Sequence, residues 1–299
     1  MTVCIAAICE SGKTIVVAAD RMFTNPALST EFETDEQKIE RIGNKCVALP
    51  AGNSVFATEV LELVQSRLGS NKEPRFHTLI ESVRNVYSEV RARKAEEIVI
   101  SPILGADFQT ARVKGVSLPN YLEKQEKAYQ QVTMMQNQQN FNADIIIAGI
   151  DEKGAHICQI THPGVTMPLQ KLGYATIGSG AIHAMLRLSL SGQTTRRNLV
   201  ETLAEVYIAK RQAEVAPGVG KTTDMAIIRA DGGIRDIYPR LAGRRQGGGQ
   251  AVNGDYTRQR QDVATLIRWP VRRRRRNRWR LVKRLRRPVV HKFKLIDRR

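Results

Sequence analysis

The stretch "TVCIAAICESGKTIVVAAD", residues 2–20, decides the fold. Two apolar runs flank Glu10-Ser11-Gly12, the pattern of a β-hairpin with a Gly-containing turn. Neither run alternates apolar with polar residues, so both faces of each strand are expected to be covered by other layers. The first run starts at Val3, leaving only Thr2 between it and Met1. Thr2 therefore stands at the mouth of a buried strand.

Working outward, "QKIERI" and "KCVALPAG" predict a second pair of strands turning at Gly43-Asn44, which gives four strands in about the first fifty residues. The period then changes. Val55, Ala57, Val60, Leu61 and Val64 follow helical spacing behind Asn53 or Ser54 as cap, and a second helix is predicted over Phe76 to Ala95. Between residues 96 and 142, "EEIVISPILG" reads as a strand and a Gln-rich piece as a polar helix, together an insertion or lid. Strands return with "ADIIIAGID", "GAHICQI" and "KLGYATIG". Helices over Ala181 to Leu190 and Thr195 to Glu214 follow, and then a hairpin, "TDMAIIRADGGIRDIYP". Strands, helices, strands, helices, strands in that order predict an α+β fold, with two helical layers enclosing stacked antiparallel sheets rather than βαβ units.

The charge is divided unevenly. From Arg240 to the end lie 21 of the 47 Lys and Arg and 3 of the 29 Asp and Glu, so residues 1–239 carry 26 of each sign and the net +18 belongs to the tail. One domain over 1–239 and a basic, disordered tail over 240–299 are expected. Trp269 and Trp279 among arginines would suit nucleic acid or an anionic surface in a salt-dependent, sequence-blind way. A non-functional tail, or one altered by a frameshift, ranks above that reading, because a charge run sets non-specific binding and not function.

Cys4, Cys9, Cys46 and Cys158 form no CxxC pair and have no His at ligand spacing, which favours buried free thiols in a reducing cytosol. No apolar run is long enough to span a bilayer, and the first residues lack the zones of a signal peptide. A soluble, cytoplasmic protein is expected. Two apparent phosphate loops fail. "PGVGKTTD" has Val215 where Walker A needs glycine and leaves a helix for a strand, and "ESGKT" has Ala7 at the same position. The five histidines share no helix face at ligand spacing, and Ser179 in "IGSGA" lacks the glycines of a nucleophile elbow.

Thr2 offers different chemistry. Once Met1 is removed, its α-amine, with an ordinary pKa of about 7.7 to 8.0, and its hydroxyl lie on one residue as base and nucleophile. Three further features follow in order. "VVAAD" ends at Asp20, Lys38 stands where polar "DEQK" turns into apolar sequence, and "ALPAGN" reaches Gly52 just before a helix. On their own, Asp20 and Lys38 read as an ordinary ion pair at strand ends. Together with Thr2 and "YATIGSGAIHAMLRLSL", they resemble the signature of the N-terminal nucleophile (Ntn) hydrolases, specifically proteasome β-type subunits, over most of residues 2–239. The start "MTVC" looks most like the bacterial Anbu-type homologues.

The resemblance implies a four-layer αββα sandwich and a threonine-type hydrolase cleaving amide bonds in peptides or unfolded proteins. It implies no cofactor and a homo-oligomer. Thr2 Oγ would attack, with its own amine as base. Lys38, held by Asp20, would supply fixed positive charge. The Gly52 N–H would bind the oxyanion. Ser179 would support the amine, and Thr24 backbone groups would pair with an extended substrate. A catalytically silent scaffold subunit and a small-molecule amidase are the alternatives. Two departures stand out. An ungapped match back from Asp20 puts Cys4 over the nucleophile, and near the fourth helix Glu214 and Pro217 stand where the family carries Asp and Ser.

Overall fold

A computed structural model describes residues 2–25, 30–70, 73–100, 127, 130–131, 143–238 and 294–296. The opening hairpin is β1 (Cys4–Cys9) and β2 (Thr14–Asp20). Both strands are buried throughout, and they pair antiparallel from Cys4 opposite Ala19 to Cys9 opposite Thr14. Its turn uses three left-handed residues, Glu10, Ser11 and Gly12. Glu10 and Ser11 tolerate that conformation because their N–H groups are held by Arg197 O (2.8 Å) and Thr195 O (2.7 Å).

Two short strands then appear that the sequence reading missed, β3 (Met22–Asn25) and β4 (Thr30–Glu33), paired with each other. β4 is exposed along its length, so no apolar pattern announces it. The strand expected over "QKIERI" shrinks to β5 (Glu40–Arg41), because Ile42 and Gly43 already turn back to Cys46 O. Lys38 consequently sits ahead of the strand and not within it. β6 (Cys46–Gly52) leads to α1 (Ser54–Leu68), where Asn53 caps by accepting from Phe56 N. The buried face of α1 includes Phe56, whereas Val55, expected inside, is 72 % exposed.

The second helix, α2 (Phe76–Ala95), has the expected bounds. The strand expected from Glu96 does not form: Glu96–Ile100 continues α2 as a π-helical turn. Its β-branched residues suit a strand, but no Gly or Pro lies between Phe76 and Pro102, and the Glu96 N–H still bonds to Ala92 O and Arg93 O. Of the Gln-rich stretch, Lys127, Gln130 and Gln131 are helical, and the rest of the expected insertion lies outside the described residues.

The chain resumes with β7 (Ala143–Asp151), β8 (Gly154–Thr161), β9 (Val165–Pro168) and β10 (Tyr174–Ile177). β9 is a mostly exposed edge strand ending in proline, a poor sequence signal. The helices α3 (Ala181–Leu190) and α4 (Leu199–Ala213) follow. α4 starts four residues later than expected because Asn198 takes the cap from Glu201 N (2.9 Å), while residues 194–197 turn to meet the β1–β2 turn. β11 (Thr223–Arg229) and β12 (Gly233–Tyr238) form the last predicted hairpin. In the tail expected to be disordered, Lys294–Ile296 form β13, paired with β12. The rest of the tail, with its two tryptophans, lies outside the described residues.

The sheets run β10-β1-β2-β11-β12-β13 and β5-β6-β7-β8-β9, antiparallel at each pairing. Alternation along the strands divides the core into three apolar layers. Cys4, Ala6, Ile8, Val17 and Ala19 face Leu49, Ile146 and Ala148 between the sheets. Val3, Ile5, Ala7, Val16 and Ala18 face Ala184, Leu188, Val206 and Ala209 of α3 and α4. On the other sheet Ala48, Ile145 and Ile147 face Val60, Val83 and Tyr87 of α1 and α2. All four cysteines are free and buried. No described helix is long and apolar enough to cross a membrane.

Tyr87 ties α2 to the start of β7: its buried hydroxyl donates to Ala143 O (2.9 Å) and faces Ala143 N at 3.4 Å. Tyr87→Phe leaves those backbone groups buried without that partner and should cost about 1–3 kcal/mol. Urea denaturation should show a lower midpoint at unchanged slope.

Candidate active site

The β1–β2 register brings the end of β2 against the start of the chain. Asp20 N–H donates to Val3 O (3.3 Å) and Val3 N–H to Asp20 Oδ1 (3.1 Å), so Asp20 lies opposite Val3 and Thr2 falls just beyond the last pair. Asp20 is fully buried. Its Oδ1 also takes Lys38 Nζ (3.1 Å) and the Thr2 hydroxyl, while Oδ2 takes Gly220 N–H (2.8 Å) and Met22 N–H (3.2 Å). A buried carboxylate needs such a full set of donors.

Lys38, 9 % exposed, commits three contacts: Thr2 Oγ1 at 2.5 Å, Asp20 Oδ1, and the Met22 carbonyl. An ammonium has three donors and no acceptor, so here it is a fixed positive charge directed at the hydroxyl. The Phe23 ring lies 5.4 Å away and covers it. Thr2 Oγ1 therefore accepts from Lys38 and donates to Asp20: the lysine's charge favours an alkoxide, while the carboxylate holds the hydroxyl proton.

Ser179, on the turn before α3, accepts from Thr2 N (3.3 Å), with Pro217 O (3.2 Å) and Thr2 O (3.4 Å) as acceptors within reach of its own proton. The "IGSG" turn presses close: a Cβ on Gly178, whose φ is +93°, would lie 2.2 Å from Thr2 O. Gly52, with φ +99°, ends β6 and lines the same cleft as Thr2, Met22, Phe23, Lys38 and Glu40, a space of about 100 Å³. Thr24 is in β3 opposite Glu31, one residue beyond Phe23. Thr2, Asp20, Lys38 and Ser179 thus form one bonded cluster, Gly52 shares its cleft, and Thr24 lies on the adjoining strand.

Cys4, the competing nucleophile, has its side chain in the layer between the sheets, where Sγ donates to Pro50 O (3.4 Å). Burial pushes its thiol up to about 12, against the thiolate a nucleophile requires. Glu214 does not turn toward Thr2. Its carboxylate pairs with Lys210 (2.7 Å) and Arg211 (2.9 Å). Sequence reasoning missed the Gly220 N–H, which carries no side-chain signal. It also missed the bidentate Arg21–Asp224 pair, 2.7 Å at each contact, which anchors the residue after Asp20 to β11. Among the described residues no group of three or more His, Cys, Asp or Glu is placed to hold a metal ion.

No protein-family model and no curated protein matches the sequence. Among solved structures, the chain is similar to an Anbu (Gly-1) mutant from Hyphomicrobium sp. strain MC1, at 15 % identity with a TM-score of 0.53, over 77 % of this chain and 82 % of that one. This likeness shows the fold relation.

Glu40 supplies the cleft's pH dependence. Burial, and then the Glu62 carboxylate, raise its pKa from the ordinary 4.5 to about 7. The folded state therefore binds the proton more tightly than the unfolded chain, and stability present below pH 4.5 is lost as pH rises through 7. Glu40→Gln should remove this dependence. In urea denaturation from pH 4.5 to 8, the variant should gain stability relative to the parent as pH rises.

Proposed function

We propose that the chain is a threonine-type Ntn hydrolase built as a four-layer αββα sandwich, cleaving amide bonds in peptides or unfolded proteins. The observation that carries this reading is Thr2 Oγ1 held between Lys38 Nζ and Asp20 Oδ1 at the edge of an open cleft. Removing Met1 turns the Thr2 nitrogen into an amine beside Ser179. As Oγ1 attacks the carbonyl, the hydroxyl proton passes from its bond to Asp20 to that amine, which gives it to the leaving nitrogen; water then hydrolyses the Thr2 ester, releasing the acid and restoring the hydroxyl. Lys38 stabilises the developing alkoxide. The Gly52 N–H receives the oxyanion, and the β3 backbone at Thr24 pairs with the extended substrate.

The three apolar layers and the Anbu likeness support the sandwich. A cytoplasmic homo-oligomer completes the reading. The oligomer is supported by an exposed apolar stripe on α3, formed by Ile182, Met185, Leu186 and Leu190. Sedimentation of the purified chain should give a multimer, and a strict monomer at micromolar concentration would remove that part of the proposal.

Intact-mass analysis after exposure to an N-terminal-threonine-directed peptide electrophile should find one adduct, on a Met-less Thr2. Thr2→Ala should abolish the adduct and lower peptide hydrolysis by at least about a thousandfold, while Cys4→Ala should retain both. A folded protein that takes no adduct is instead the silent scaffold subunit.

A further inference from the structure

Lys210, on α4, is fully buried, yet it is a lysine. Burial of this kind lowers a lysine's pKa, and here it does so despite the neighbouring Glu214 carboxylate. Such a charge persists only when its donors are used. Nζ donates to Glu214 Oε1 (2.7 Å), Gly220 O (2.7 Å) and Lys221 O (3.0 Å). Two of the three bonds therefore go to consecutive carbonyls of the loop between α4 and β11.

That loop faces the active site on its other side. The Gly220 N–H donates to Asp20 Oδ2 (2.8 Å), and Pro217 O lies in reach of the Ser179 hydroxyl. From outside, Glu33 of β4 accepts from Thr222 N (2.9 Å) and Thr222 Oγ1 (2.5 Å), which lowers its pKa. There is no slack at Gly220: a Cβ there would lie 2.5 Å from Glu33 Oε1 and 3.2 Å from Met22 N.

We propose that Lys210 is a positioning residue of the threonine centre. By holding the carbonyls of Gly220 and Lys221 from beneath, it fixes the Gly220 N–H on Asp20, and through Asp20 the hydroxyl of Thr2. This assignment rests on the threonine-nucleophile reading. It predicts a division of labour within the lysine's own bonds. The Glu214 pair compensates the buried charge, and the two carbonyl bonds set the geometry of the centre.

The test is saturation labelling of Thr2 by a peptide electrophile, followed by intact mass and corrected for folded fraction, well below the melting temperature. Lys210→Met should lower the limiting rate at least tenfold while the half-saturating concentration stays within twofold, since the cleft walls are untouched. Glu214→Gln keeps both carbonyl bonds and should stay within threefold of the parent in both constants. Should Lys210→Met fail to fold, Lys210→Gln is read in the same way. A parental limiting rate in the folded Lys210 variant, or a loss wholly in half-saturation, overturns the assignment. A parent protein that takes no label at Thr2 overturns the nucleophile reading itself, so the two failures are distinct.

Discussion

Burial of the Asp20 charge is the constraint on which the site depends. A carboxylate in a fully buried position costs several kcal/mol unless donors replace its water. Here the donors come from five places in the chain: Thr2, Val3, Met22, Lys38 and Gly220. Four pieces of the fold deliver them. The residues just ahead of β1 supply the first two, the step from β2 to β3 the third, the bend before β5 the fourth, and the loop after α4 the fifth. Assembling the charge thus requires most of the domain to be in place.

The same convergence sets the chemistry. With both carboxylate oxygens occupied and all three Lys38 donors used, neither side chain can swing away without leaving a buried partner unsatisfied. The Thr2 hydroxyl is held between them in a preorganised field, the kind of arrangement that stabilises charge developing on an attacking oxygen. Flexibility would be costly here, and the structure removes it on three sides: the "IGSG" turn above Thr2, the Arg21–Asp224 pair beside Asp20, and the tight packing at Gly220.

Long buried elements were legible in the sequence because their patterns are strong. β1, β2, α2, β7 and β8 follow from apolar runs and helical periodicity, whereas Asp20, Lys38 and Gly52, though they stand where such runs begin or end, are singled out by the family resemblance. What escaped was carried by backbone or by exposure. β4 and β9 face solvent and so lack an apolar pattern, and α4 begins only at Leu199, behind the Asn198 cap, rather than at Thr195. The strand expected at Glu96 does not form because no helix breaker stands between α2 and residue 100, and the helical hydrogen bonding carries on through the β-branched residues. Gly220 donates through its N–H and Pro217 accepts through its C=O, groups that every position of a chain offers in nearly the same form, so no residue type could mark them.

The choice between Thr2 and Cys4 shows where sequence pattern runs out and geometry takes over. The two lie two residues apart, so along an extended chain their side chains share a face, and that of Cys4 lies in the layer between the sheets. Hydrophobic alternation cannot separate them, since any register that buries one on the correct face buries the other. What separates them is distance along the strand, fixed by the mutual Val3–Asp20 bonds at the end of β2. At its other end the hairpin closes through the left-handed residues Glu10, Ser11 and Gly12, with Glu10 and Ser11 pinned by the Arg197 and Thr195 carbonyls. The register of the hairpin therefore determines which residue meets Lys38. It places Cys4 in the apolar layer, where a thiolate is suppressed, and Thr2 at the cleft, against Lys38.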